Sequence, residues 1–301
     1  MYLSIKPFNK IFFKNCYYNS LFSILMYFDV GIDDVLSNNI PVYSIKSDFI
    51  LNEYIEIQRE DKLLFDLGMT IVEEYVEYES FYELIMNNIK SKSPLLIALY
   101  NEVGFEKFAL IIGYKCDSSV FVIHQQHSDS LTYVEEMMTV KELTRRHLFG
   151  NKQKLVRVFL FNYSQDHARK DIRRCAISFI DNMTNNIEII LLGLKKLKDY
   201  STCFSNILES TDIASYSCLV KNINTIINSC RVTRMVINGY RDCFELLKLK
   251  NNIESNWCYI RNKVMKSYFS KQKICESTSL NTVMRNIYVY EQKFISEIIN
   301  M

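Results

Sequence analysis

The pattern of hydrophobic and polar positions changes its period twice along the chain. After an extended lead-in, apolar side chains recur at three- and four-residue steps, which predicts a helix over residues 16–28. From Pro94 onward the apolar positions run continuously in short segments, which is typical of buried strands. From about Ser164 helical spacing returns and continues to the last residues. The pattern therefore predicts helices and strands in the first half and helices alone in the second.

The bounds of the individual segments follow from these periods and from local cap and turn residues. Residues 33–36 are predicted as a helical turn, and residues 42–45 and 49–54 as extended. In the first half we further predict strands over residues 66–72, 94–100, 105–114, 120–125 and 155–163, a helix over residues 81–90 capped by Ser80, and a helix opened by Thr139. In the second half we predict helices over residues 166–182, 185–198, 212–250 with one break near Gly239, 254–270 and 279–299.

The order of these segments predicts the fold class. A cysteine-led helix, a second helix and then an antiparallel set of strands is the chain order of papain-like thiol enzymes. We therefore expect an α+β protein with a papain-like thiol-enzyme domain over residues 1–163. An all-α helical domain is expected to follow over residues 164–301.

Composition supports a chain that buries a sizeable core and lacks long linkers. Hydrophobic residues make up 49%, whereas there are only 7 Gly and 3 Pro, which disfavours turn-dense all-β folds. The nine cysteines show no CxxC spacing, and the first residues show no secretory signal, so a reducing cytoplasm is expected. The apolar runs are shorter than the roughly 18 residues that a membrane span needs, so no membrane association is expected.

Charge is unevenly distributed although its total is small. A net charge of +2 is too low to indicate nucleic-acid binding. Residues 164–301 hold 20 Lys and Arg against 13 Asp and Glu, whereas residues 1–163 hold 16 against 21. A basic second half can dock an acidic partner, and a solvated helical surface is the alternative interpretation.

Cys16 is the candidate nucleophile. It stands where a polar approach turns into the first helix, so its thiol would lie at the positive end of the helix dipole, which favours the thiolate. Asn15 and the Cys16 backbone N–H could together stabilise an oxyanion. The alternative is that Cys16, one of nine cysteines, is a small core residue without chemistry.

A family resemblance supports the first interpretation. The segment 15–21, which reads Asn-Cys-Tyr-Tyr-Asn-Ser-Leu, and the strands 108–114 and 120–124 resemble the butirosin-biosynthesis protein H-like family. The helical tail is similar too, in Arg231, Arg234, the segment 254–266 around Trp257, and Glu291. The resemblance implies a cysteine-dependent acyltransferase that moves an acyl group from a carrier-protein thioester to an amine during specialised-metabolite biosynthesis. Its partners would be a phosphopantetheine-bearing acyl or peptidyl carrier protein and a small-molecule amine, with no further cofactor.

The sequence departs from this family where the general base is expected. Lys107 or Phe108 stands in place of the usual histidine, and Gln125 in place of the usual acidic partner. Three interpretations follow. In the first, His124 or His127 supplies the base from the neighbouring strand; position 127 lies opposite 107 if the hairpin closes symmetrically about Asp117. In the second, Lys107 lowers the pKa of the Cys16 thiol. In the third, the site binds a carrier protein without catalysis.

The sequence raises two other kinds of chemistry. A cysteine peptidase or hydrolase, with water as the acceptor, is a further alternative to the acyltransferase. The three-residue spacing of His124 and His127 would suit a metal on a helix, but on a strand these side chains point to opposite faces. No metal site is therefore predicted, and no nucleotide-binding or zinc-protease motif occurs.

Overall fold

The computed structural model describes residues 1–46, 49–100, 106–126, 132–148, 155–164, 172–239, 243–274 and 277–301. The chain is α+β, as predicted, with two antiparallel sheets and a helical C-terminal region. The helices are α1 Cys16–Tyr27, α2 Ile32–Ser37, α3 Glu60–Asp66, α4 Tyr78–Lys90, α5 Val140–Leu148, α6 Ile172–Asn185, α7 Ile187–Ser210, α8 Tyr216–Ile237, α9 Phe244–Ser270 and α10 Ser277–Ile299. The strands are β1 Asn39–Lys46, β2 Phe49–Glu56, β3 Met69–Glu77, β4 Leu95–Tyr100, β5 Glu106–Tyr114, β6 Ser119–Gln125, β7 Tyr133–Thr139 and β8 Leu155–Tyr163.

The chain divides into two compact units that are not simply consecutive. Unit 1 comprises Met1–Ile32 and Arg59–Arg169, and unit 2 comprises Asp33–Gln58 and Lys170–Met301. The predicted division at residue 163 assigns residues 33–58 to the first domain, whereas their contacts place them in the second. The physical reason is that, among the described strands, β1 and β2 pair only with each other, and they pack against α7 and α8.

Unit 1 is built on a six-stranded antiparallel sheet with the strand order β3-β8-β4-β5-β6-β7. The central strands carry apolar side chains on both faces, among them Ala109, Leu110, Ile111 and Ile112, all fully buried. Helix α1 lies on one face, where the ring of Tyr17 contacts Phe108 of β5 and Phe159 of β8. The helix that carries Cys16 is therefore seated on the middle of the sheet.

The β5–β6 hairpin contains a bulge that sets its register. Beyond the turn, Gly113 pairs with Phe121, but further along the strands Ala109 pairs with His124, so the register shifts by one residue. A Cβ at Gly113 would approach Met1 O to 2.8 Å, so the crossing N-terminal segment requires glycine here. Symmetric closure about Asp117, which would place position 127 opposite 107, is therefore not what the strands adopt.

The element predictions that differ from the structure have local causes. The sequence pattern does not predict strand β7 or helix α3, because neither shows a clear apolar period. Helix α4 begins at Tyr78 with Glu77 at its cap position, so Ser80 is not the cap. Helix α9 runs without interruption through the predicted gap between residues 250 and 254. The predicted Thr139 cap is confirmed, since its Oγ1 accepts from the Glu142 N–H at 3.2 Å.

Within the described residues, no helix has the length and apolar character that crossing a membrane would demand.

Candidate active site

Cys16 is the first residue of α1 and is partly exposed. The preceding Asn15 is extended, and its Oδ1 accepts a hydrogen bond from the Tyr17 N–H at 3.0 Å, which makes it the N-cap. The partial positive charge of the helix N-terminus thus acts on the Cys16 side chain, which favours its thiolate. Asn15, predicted to stabilise an oxyanion, has this capping bond as its observed role.

Helix α1 is tied to the lead-in segment by buried polar side chains. Asn19 donates to the carbonyl oxygens of Phe8 at 3.2 Å and Ile11 at 2.8 Å. The Phe8 N–H donates to Ser23 Oγ at 3.0 Å, one helical turn further along. Because Asn19 and Ser23 are almost fully buried, these bonds fix the helix and therefore the position of Cys16.

Tyr133, at the start of β7, brings a second strand to Cys16. Its hydroxyl lies 3.5 Å from the Cys16 carbonyl oxygen, at the outer limit of a hydrogen bond. Its backbone is held by Asn9, which donates to Tyr133 O at 3.0 Å and accepts from Tyr133 N at 2.8 Å. Burial, and then the charge of Cys16, raise the pKa of the Tyr133 phenol, so it stays protonated at neutral pH.

Tyr133 is a site residue that the sequence pattern does not predict, because the pattern does not predict β7. The sequence signal for β7 is the run from residue 133 to Thr139, which begins with an aromatic residue and ends with a helix cap. Its two consecutive glutamates and two consecutive methionines hide any two-residue alternation. The strand is recognisable only from its pairing with β6.

Strand alternation decides which residue occupies the position expected for the base. The Phe108 ring centroid lies 5.4 Å from that of Tyr17, next in sequence to Cys16, so Phe108 faces α1. Lys107 pairs with Leu99 and, as the neighbouring residue on the strand, projects to the opposite face. The structure therefore does not place Lys107 on the Cys16 side of the sheet, where it could lower the thiol pKa.

His124 is also on the far face of the sheet. It pairs with Ala109 in the register, one position from Phe108, and so projects away from α1. Its Nε2 lies 2.7 Å from Oε2 of Glu136, and its Nδ1 lies 2.9 Å from the Gln125 carbonyl oxygen. Both ring nitrogens face acceptors, so the described contacts assign this imidazole to Glu136 and do not bring it to Cys16.

Of the two remaining predicted site residues, Gln125 is among the described residues and His127 is not. Gln125 pairs with Tyr133 in the β6–β7 register, which places both side chains on the α1 face. His127 lies outside the described residues. The position predicted for the acidic partner therefore belongs to the candidate site.

An aromatic row extends from Cys16 across the sheet. The rings of Tyr17, Phe108 and Phe159 contact one another at centroid distances of 5.4 to 6.1 Å. The guanidinium of Arg157 stacks on Phe159 at 4.9 Å and pairs with Glu73 at 2.8 Å. The row therefore ends in an ion pair, because Glu73 already holds the charge of Arg157.

Comparison with protein families, with characterised proteins and with solved structures finds no match to this chain. The fold and candidate site define an α+β protein with a helix-leading cysteine on an antiparallel sheet.

Proposed function

We propose that unit 1 is a papain-like, cysteine-dependent acyltransferase of the butirosin-biosynthesis protein H-like type, in which Cys16 is the nucleophile. The observation that carries the proposal is the partly exposed Cys16 at the N-terminus of α1, seated on the antiparallel sheet beside Tyr133. The helix dipole supplies the electrostatic support that a thiolate requires. The acceptor would be a small-molecule amine, and the reaction would take place in the cytoplasm.

The proposed reaction has two balanced steps. The Cys16 thiolate attacks the carbonyl carbon of a carrier-bound thioester, the carrier C–S bond breaks, and the carrier leaves as a thiol after taking one proton. An amine then attacks the acyl-Cys16 carbonyl, an amide forms, and the Cys16 sulfur leaves as the amine loses a proton. The Cys16 backbone N–H at the N-terminus of α1 would donate to the oxyanion, and the aromatic rings of Tyr17, Phe108 and Phe159 would contact the acyl group.

His127 is the base that we propose for these proton transfers. His124 is held by Glu136 on the other face, and Phe108 is no acid or base. His127, which lies outside the described residues, is the other histidine that the sequence offers as a base, and it follows Gln125 by two positions in the chain.

The engagement of His124 by Glu136 and the presence of Phe108 at the expected base position also favour a second function, binding without catalysis. If His127 does not act, a site lined by Phe108 and Gln125 would bind a carrier-linked acyl chain without reacting with it. This is the non-catalytic alternative, a carrier-binding relative of the enzymes.

Intact-mass measurement separates these functions. The chain is incubated with an acylated carrier protein, and we expect a covalent acyl adduct that is lost in Cys16→Ala but kept in Cys116→Ala, which removes an exposed thiol elsewhere. His127→Ala should slow adduct formation by about a hundredfold or more if it is the base. No adduct, together with salt-sensitive carrier binding, would support the binding function and contradict the enzyme.

The fate of the adduct distinguishes transfer from hydrolysis. Adding a panel of primary amines to the isolated acyl-enzyme should speed deacylation and yield amides if an amine is the natural acceptor. Deacylation at an unchanged rate, with free acid as the product, would support a cysteine hydrolase instead.

A further inference from the structure

Unit 2 contains a small internal cavity where strands β1 and β2 meet helices α6 to α10. Its volume is about 30 Å³, which is enough for one water molecule and too small for an organic ligand. The polar residues that line it are Tyr43, Asn52, Thr233, Lys250 and Glu291, and the other lining residues are apolar.

Four of these polar residues are grouped on one side of the β1–β2 hairpin. Tyr43 and Asn52 lie directly opposite each other in the β1–β2 register, so their side chains share a face. The Tyr43 hydroxyl donates to Glu291 at 2.7 Å, and Lys250 Nζ donates to the two oxygens of the same carboxylate at 2.9 and 2.8 Å. The cavity is therefore bordered by a buried ion pair and by an amide.

The Thr233 hydroxyl is buried without a hydrogen-bond partner. Thr233 is 1% exposed, and the described residues supply no partner for its Oγ1. A threonine inside a helix can bond the carbonyl oxygen one turn earlier, but this hydroxyl does not. Ser229, one turn earlier on α8, accepts a hydrogen bond from Asn52 Nδ2, so this side of α8 faces β2 and the cavity.

Two further lining residues have unused hydrogen-bonding groups. Asn52 Oδ1 is inaccessible to solvent and has no partner among the described residues. Lys250 has three N–H donors, of which Glu291 accepts two, and the centroid of the Phe294 ring lies 4.1 Å from its Nζ. Buried polar groups without a protein partner are uncommon, and an ordered water commonly satisfies them.

We propose that this cavity binds one ordered water molecule as an integral part of unit 2. The water would accept a hydrogen bond from the Lys250 ammonium, donate one to Asn52 Oδ1 and form one with the Thr233 hydroxyl. About three hydrogen bonds is the usual number for a buried water. Through them the water would connect β2, α8 and α9.

A high-resolution crystal structure of the full chain tests the site directly. We expect electron density for one water within hydrogen-bond distance of Thr233 Oγ1, Asn52 Oδ1 and Lys250 Nζ. A cavity without such density would overturn the proposal, since it would show that these polar groups are buried in a dry space.

Thr233→Val gives an independent test in solution, because a hydrated and a dry cavity predict changes of opposite sign. Valine replaces the hydroxyl with a methyl group of similar size. If the water is bound, valine leaves it one partner short, and the urea midpoint of unfolding should fall by about 0.3 M or more. If the cavity is dry, the same substitution removes an unpartnered buried hydroxyl and should raise the midpoint.

Trp257 is the only tryptophan of the chain and is fully buried in unit 2, so its fluorescence reports this midpoint. Thr225→Val is the matched control, since Thr225 is an exposed threonine of the same helix that donates to the Asn222 carbonyl oxygen. It should leave the midpoint unchanged. An unchanged or higher midpoint in Thr233→Val would overturn the proposal, and neither result bears on Cys16, which belongs to unit 1.

Discussion

At the scale of single residues, Phe108 occupies the position on β5 where the general base of the candidate active site is expected. It is the member of the Lys107–Phe108 pair that faces α1, because neighbouring residues of β5 project to opposite faces. The sequence alone does not tell which of Lys107 and Phe108 faces α1, because that depends on which face of the sheet α1 packs against. A phenylalanine at this position cannot take the proton of the Cys16 thiol.

Placing a histidine at position 108 should therefore increase the reactivity of Cys16. We expect Phe108→His to raise the rate of Cys16 alkylation by iodoacetamide at pH 7 by about tenfold, because an adjacent imidazole favours the thiolate. Lys107→His is the matched control, placing the same side chain one residue away on the opposite face. Equal effects of the two substitutions would contradict the assigned orientation of β5.

Cys230 is buried, whereas Cys16 is partly exposed, and its burial leads to a prediction about the pH dependence of stability. Burial raises the pKa of its thiol from 9.0 to about 12, despite the opposing effect of Lys250. A raised folded-state pKa means that its contribution to stability is complete below pH 9 and is lost as pH rises toward 12.

The free energy of unfolding should report this loss directly. Between pH 8 and pH 10 the wild type should lose about 1.4 kcal/mol more than Cys230→Ala, because only the unfolded thiol ionises in that interval. Denaturant titrations at the two pH values measure the difference. Parallel pH dependence in the two proteins would show that Cys230 ionises readily in the folded chain.

At the scale of elements, the docking of α1 depends on a polar contact that the sequence pattern only partly reveals. The apolar period predicts the helix and its buried face, whereas the bonds from Asn19 to the carbonyls of Phe8 and Ile11 depend on the path of the lead-in. Asn19 belongs to the segment that carries the family resemblance, and its observed role is to hold the helix that bears Cys16.

Removing this contact should destabilise unit 1. We expect Asn19→Ala to lower the free energy of unfolding by about 1–3 kcal/mol, because two buried carbonyl groups lose their donor. Asn88→Ala is the control, since the Asn88 side chain donates to the Leu84 carbonyl oxygen within its own helix. An effect of Asn19→Ala no larger than that of Asn88→Ala would mean that α1 is held by its apolar face alone.

The elements also show where sequence-based prediction succeeds. Strands β4, β5 and β6 are correctly predicted because their apolar runs are continuous, and β8 is correctly predicted because its pattern alternates. Strand β7 is an edge strand with three exposed residues in its middle, so its identity depends on pairing, which a local pattern does not encode. The site residue Tyr133 is lost with it.

At the scale of the whole molecule, the two units differ from the two halves of the sequence. Including residues 33–58 brings five acidic residues and one lysine into unit 2, which then holds 20 basic and 17 acidic residues. Its net charge is +3 and not the +7 of residues 164–301. The charge contrast that suggested a basic docking domain is thus much smaller in the folded units.

The hairpin joins unit 2 through a buried ion pair. Lys250 Nζ lies 2.9 and 2.8 Å from the two carboxylate oxygens of Glu291, and the Tyr43 hydroxyl of β1 donates to the same carboxylate at 2.7 Å. All three side chains are less than 9% exposed. The three groups connect β1, α9 and α10 in one network.

Breaking this network from one side should cost far more than an average surface substitution. Glu291→Gln leaves the buried Lys250 ammonium without its counter-charge, and we expect a loss of about 3–5 kcal/mol in the free energy of unfolding. Glu245→Gln, an exposed carboxylate near the start of α9, should change it by less than about 0.5 kcal/mol. A loss below about 1 kcal/mol at position 291 would show that the pair is not buried in solution.

The central claim is that Cys16 accepts an acyl group. Peptide mass spectrometry after incubation with an acylated carrier protein measures the acyl group at each cysteine of one sample, and the exposed Cys116 and Cys218 report non-specific transfer. We predict that Cys16 is acylated at least about a hundredfold faster than either exposed thiol. Acylation spread evenly over the exposed cysteines, with Cys16 no faster than Cys116, would contradict the claim.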